Sequence, residues 1–175
     1  MIQRMIGASL LRTATYEQVE GDKSATTQAL LVVVLVAVAT GVATLGTKVN
    51  ALGIVLGILV ALVGWAVLAW LTYVIGATVL RTEETKADWA ELARTLGFAQ
   101  SPGILRLFGG IPIIGSWVFP VVAVWQLAAA VIAIRQALDY KSTWRAVGVA
   151  VLSFIPYWFL LALLTLLLAG QETPT

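Results

Sequence analysis

The side chains that carry most enzyme chemistry are missing, for the chain holds no cysteine and no histidine. Disulfides, thiol nucleophiles, imidazole bases, Cys/His zinc sites and His-ligated haem are therefore excluded. Catalysis would fall to carboxylates, Ser/Thr, Lys, Arg or Tyr, and no acid–base or nucleophile constellation of these is visible. No catalytic residue, cofactor or metal is expected, and the reading is of a non-enzyme. Two polar residues remain to be explained inside apolar sequence. Arg106 is the only charge in the interior of a candidate membrane crossing, Arg135 and Arg145 standing at the ends of theirs, and intramembrane ionisable residues are functional by default. No Asp or Glu lies in any candidate span to pair with it. It either makes a structural or lipid-headgroup contact, snorkelling from a short helix, or holds an anion such as a lipid phosphate. Gln126 sits near the middle of its span, where an amide needs a partner. Such bonds contribute about 0.6 kcal/mol on average. Helix packing is its expected role, since one amide is too little to line a solute pathway.

The elements that must position these residues follow from composition. Hydrophobic residues make up 60% of the 175 residues and charged ones 11%, against about 25% charged in soluble domains. A chain so poor in charge cannot cover a globule, so its apolar surface must face lipid. Length alone fits one domain, 1–175. The net charge of +2 includes no Lys/Arg cluster able to track a phosphate backbone, which argues against nucleic acid as a partner.

Charge-free runs of 24, 32, 28 and 26 residues separate Lys23 from Lys48, Lys48 from Arg81, Arg106 from Arg135, and Arg145 from Glu172. About 20 apolar residues cross the hydrocarbon core as a helix. In lipid the backbone must satisfy its own hydrogen bonds, and the alternation of a β-barrel is absent. The fold class expected is all-α, a polytopic helical bundle in the membrane. Nine of the eleven basic residues fall in three groups, Arg4/Arg12/Lys23, Arg81/Lys86/Arg94 and Arg135/Lys141/Arg145. By the positive-inside rule all three groups are cytoplasmic. The stretch between the last two groups must then go out and return. The return is 113–137, and the outward arm is only 98–111, bounded by Pro102-Gly103 and Gly109-Gly110-Ile111-Pro112. Five crossings result, at about 26–46, 52–79, 98–111 (short and interrupted), 113–137 and 145–169. A re-entrant half-helix over 98–111 is the alternative. The N-terminus is expected in the cytoplasm and Gln171–Thr175 outside.

Ile2, Met5, Ile6 and Leu10 recur at helical spacing and predict a short amphipathic N-terminal helix in the headgroup region. Thr85-x-x-Asp88 reads as a capping box opening an interfacial helix over 86–96 on the cytoplasmic face. Its apolar side would be Trp89, Leu92, Ala93 and Leu96, with Asp88, Glu91 and Thr95 turned elsewhere. Gly53-x-x-x-Gly57, extended by Ala61, is a stripe that lets helices approach closely, and contact with another helix of the same chain is expected. Pro156 should kink the last span. Trp89, Trp117 and Trp144 stand where an interfacial belt would be.

At Leu96-Gly97-Phe98-Ala99-Gln100-Ser101-Pro102 the chain resembles the Yip domain family, small membrane proteins named for interaction with Rab-type GTPases. The helix-break step Gly97, Phe98, Pro102 carries the likeness. Trp125 to Leu138 and Thr15-Tyr16-Glu17-Gln18-Val19-Glu20 add to it, the latter as in short prokaryotic members. The resemblance implies five spans, a cytoplasmic N-terminus and a non-enzymatic role in membrane organisation. No Asp-Leu-Tyr-Gly-Pro-like motif is found, so it does not carry Rab binding over. The function expected is a scaffold or adaptor in the cytoplasmic membrane of a prokaryote. Its partners would be membrane lipids and a protein partner or a second copy of itself. A small-solute transporter or channel-like protein using the broken helix 98–112 is the alternative, since discontinuous helices mark transporter sites.

Overall fold

The structure, a computed structural model, describes residues 1–44 and 51–169. Lys48, the end of the first expected span and the tail Gln171–Thr175 lie outside the described residues. Among the described residues every regular element is helical. In chain order these are α1 (Ile2–Ser9), α2 (Thr13–Gly21), α3 (Ala25–Ala43), α4 (Ala51–Val74), a π-turn (Ile75–Val79), α5 (Trp89–Ala99), a 3-10 segment (Ser101–Gly110), α6 (Gly115–Ala137) and α7 (Thr143–Ala169). Four stretches are long and apolar enough to cross a membrane: Ala25–Ala43, Leu52–Val79, Gly115–Ala137 and Thr143–Leu163. They leave Leu31, Leu56, Val124 and Phe159 on outer faces, the surface a bilayer would cover. The chain is an all-helical protein of membrane character.

α5 and the 3-10 segment form one composite rod, and proline chemistry explains the change of pitch. Pro102 has no N–H to give the carbonyl four residues back. That carbonyl, of Phe98, instead accepts from the Ser101 hydroxyl at 2.6 Å. The chain then tightens, with the Gly103 N–H donating to Gln100 O at 2.7 Å. At 1.5 and 2.0 Å per residue the composite is roughly 36 Å long.

The rod lies along α3 in one continuous register. A Cβ at Gly97 would fall 2.7 Å from Ala29 Cβ, one at Gly103 2.5 Å from Val36 Cγ1, and one at Gly110 3.2 Å from the Ala43 carbonyl oxygen. Contact residues rise together on both partners, so the two run parallel from near Ala29 to Ala43. Glycine at these places removes the side chain that would hold the backbones apart.

α5 differs in two ways from a helix resting on the surface. It starts at Trp89, because Asp88 and Glu91 form the capping box. The Glu91 N–H donates to Asp88 Oδ1, and the Asp88 N–H to Glu91 Oε2, both at 2.8 Å. Thr85, the expected cap, instead accepts from the Thr82 N–H and donates its hydroxyl to Leu138 O at 3.2 Å. Every residue from Leu92 to Ala99 is buried, for α1, α2, α3, α4 and α6 all pack on this helix. Thr95, expected on the polar side, is fully buried, and its hydroxyl donates to Glu91 O at 3.0 Å.

α1 and α2 form a tight hairpin. Leu11 turns it with φ 58°, a left-handed conformation rare for a leucine. The buried Tyr16 hydroxyl donates to Ala8 O at 3.0 Å. Arg4 ties the hairpin to the start of α3 through Asp22 Oδ2 at 2.7 Å and Gln28 Oε1 at 3.3 Å. Met5 and Ala8 face inward while Ile2, Ile6 and Leu10 form an exposed apolar ridge. Pro120 and Pro156 lie inside α6 and α7, which continue through them.

Candidate functional site

Arg106 and Gln126, twenty residues apart in sequence, meet within the helical bundle. The Arg106 Nη2 donates to Gln126 Oε1 at 2.6 Å. The Gln126 amide donates in turn to Gln100 Oε1 at 2.8 Å and Gln100 O at 3.1 Å. Gly103 makes this possible, for a Cβ there would lie 2.5 Å from Gln126 Nε2. The helix break therefore has a local purpose: it brings an arginine and a glutamine from the rod onto one amide of α6. Gln126 stands eleven residues from each end of α6, roughly 16 Å along the axis either way. The Arg106 head, bonded to it, is at the middle of that helix rather than drawn to an end.

This polar chain borders a cavity of about 1040 Å³ between α3, α4, α6, α7 and the rod. Its walls are mainly apolar, with Val36, Ile54, Ala61, Leu127 and Phe154 among them, and Thr40 and Tyr157 add hydroxyls. Among the described residues Arg106 has the single hydrogen bond to Gln126, and its Nε is buried with no partner.

Gly53 and Gly57 line the same cavity. A Cβ at Gly57 would meet no atom within 4 Å, so this glycine faces open space instead of a neighbouring helix. The close helix contacts of α4 are made elsewhere. Gly41 of α3 approaches Ile54, and Gly64 receives Tyr157 of α7, whose hydroxyl lies 2.7 Å from a Cβ placed there. Phe98 and Pro102 are fully buried, and Gly97 packs on Ala29, so the three helix-break residues belong to the rod's contact with its neighbours.

A second cleft of about 850 Å³ lies between α2, the loop 80–88 and the end of α6, lined by Glu17, Glu20, Glu84, Lys86, Arg135 and Asp139 among others. Arg94 holds the C-terminal turn of α2 nearby. It is 4% exposed, and its guanidinium donates to Val19 O at 3.3 Å and Glu20 O at 2.5 Å. These are last-turn carbonyls of α2, where a cation is favoured. Burial, then the charges of Asp139 and Glu91, push the Glu20 carboxyl up to about 7 against the pull of Arg94. On the hairpin the Ser24 hydroxyl and the Arg4 guanidinium hold Asp22 down to about 2. No group of three or more Asp or Glu side chains among the described residues is placed to hold a metal.

Gln100, Gly103 and Arg94 were not singled out by sequence reasoning. Gln100 precedes a Ser-Pro break and reads as loop. Arg94 follows four nearby acids and reads as one more cytoplasmic charge. The signal for the rod's contact face is the parallel spacing of Ala29, Val36 and Ala43 against Gly97, Gly103 and Gly110. In comparisons with protein-family models, curated proteins and solved structures, nothing matches the chain.

Proposed function

We propose that the chain is a non-enzymatic integral membrane protein of Yip type, a scaffold or adaptor that organises membrane through lipid and protein contacts. The observation that carries this reading is the cavity of about 1040 Å³ among the long apolar helices. Apolar walls bordered by one guanidinium and two amides suit the holding of an amphiphile or a partner's side chains. The Yip assignment rests on the Gly97, Phe98, Pro102 step of the sequence.

The parallel register of the α5–3-10 rod with α3 supports five crossings. A segment that accompanies a full-length span from Ala29 to Ala43 covers the same depth, which a re-entrant half-helix would not. Successive crossings then alternate. Lys86, Arg135 and Lys141 gather at the second cleft, which marks the cytoplasmic end by the positive-inside rule, in the cytoplasmic membrane of a prokaryote. Photo-crosslinking in native membranes from the exposed Trp117 and Trp144 positions is expected to capture one specific protein or a second copy of the chain. A clean monomer with no captured partner would contradict the adaptor role.

A second reading, a small-solute carrier, is favoured by one observation: the helix break sets a charged residue at mid-helix depth on a cavity wall. Proteoliposome flux lost in both Arg106→Ala and Gln126→Ala would support it, and flux indifferent to both would remove that site.

A further inference from the structure

We propose that the cavity beside Arg106 binds one long-chain carboxylate, its head on the guanidinium and its tail along the apolar walls. The inference deepens, and rests on, the reading of the chain as a non-catalytic protein that works through lipid contact. Charge is the first argument. Arginine stays protonated in proteins, and the chain has no acid between Asp22 and Glu83, between Glu91 and Asp139, or between Asp139 and Glu172. The long helices around the cavity thus bring a cation and no anion. Its hydrogen bond is to a neutral amide, and its Nε has no partner among the described residues. An uncompensated charge in an apolar setting is costly, and a bound anion offsets that cost.

Depth decides which anion. Arg106 is held at the middle of α6, roughly 16 Å from either end. A bilayer phospholipid keeps its phosphate at the edge of a hydrocarbon core about 30 Å thick. Bringing that phosphate to Arg106 would draw glycerol and a second chain with it. One carboxylate on one acyl chain asks for one cation and a continuous apolar wall. Val36, Ile54, Ala61, Leu127 and Phe154 supply the wall, and Gly57 leaves a furrow in it where a side chain would stand. The volume of about 1040 Å³ lies just above the ~300–1,000 Å³ range of ligand pockets and leaves room for a flexible chain.

The test is native mass spectrometry of the full chain released from detergent, titrated separately with oleate, oleyl alcohol and dioleoylphosphatidylglycerol. One saturable oleate is expected, bound about tenfold or more tightly than either other probe, a difference of about 1.4 kcal/mol. Arg106→Lys should keep oleate binding and Arg106→Gln should lose it about tenfold. Equal binding of oleate and oleyl alcohol would overturn the proposal, as would preference for the phospholipid or unchanged binding in a folded Arg106→Gln protein. If Arg106→Gln does not fold, the three probes on the native chain decide alone. Failure here with a captured protein partner removes this inference only. Oleate bound but recovered chemically altered would instead remove the non-catalytic reading.

Discussion

Single atoms decide the packing around the rod. A Cβ at Gly103 would stand 2.5 Å from both Gln126 Nε2 and Val36 Cγ1, whereas one at Gly57 would meet nothing within 4 Å. Gly103→Ala should therefore lower the thermal unfolding temperature in detergent, by the equivalent of about 1–3 kcal/mol for overpacking. Gly57→Ala should leave it unchanged or raise it, since alanine is the better helix former by about 0.5–1 kcal/mol. Equal losses in both would contradict the assignment of Gly57 to the cavity wall. Glu20 makes a prediction about pH. Its carboxyl, raised to about 7 by burial and by Asp139 and Glu91, binds a proton in the folded chain at pH values where the unfolded chain has released it. Its contribution is present in full below the ordinary glutamate range, and it declines as pH rises toward 7. Unfolding temperatures measured from pH 4.5 to 7.5 should fall across that window for the native chain. In Glu20→Gln the slope should be shallower, and an identical slope would show that other groups set it.

The helices show what was legible and what was not. Charge-free runs marked the long spans, because lipid admits few charges and the run lengths match its thickness. The structure keeps helices at Ala25–Ala43, Leu52–Val79, Gly115–Ala137 and Thr143–Leu163, close to the expected positions. α5 reads as a surface helix because it is short, capped by Asp88 and acidic in its first turn at Glu91. Its burial comes from elements outside its own segment, α1, α2, α3, α4 and α6. The start of α5 was displaced because Asp88-x-x-Glu91 offers two reciprocal bonds where Thr85-x-x-Asp88 does not. Asp88→Ala should thus cost about 0.5–2 kcal/mol, read as a lower unfolding temperature and faster amide exchange over residues 89–93. Exchange unchanged there would show that burial alone fixes this helix end. At the site, Arg106 and Gln126 were each legible as polar residues in apolar sequence. Their pairing was not, since only the fold of the 3-10 segment back against α6 brings them together.

At the scale of the molecule, the central claim is that the composite rod of α5 and the 3-10 segment is a third crossing, parallel to α3. The protein would then pass the bilayer five times and enclose a cavity against Arg106. The most direct measurement labels single cysteines in intact cells with a membrane-impermeant maleimide, before and after permeabilisation. The chain has no native cysteine, so Glu84→Cys, before the rod, and Ile113→Cys, just after it, each carry one thiol. Both positions are exposed, Ile113 at 85%. Five crossings predict that Ile113→Cys is labelled in intact cells and Glu84→Cys only after permeabilisation. Labelling of both from the same side would contradict the account, making the segment a re-entrant arm and leaving four crossings.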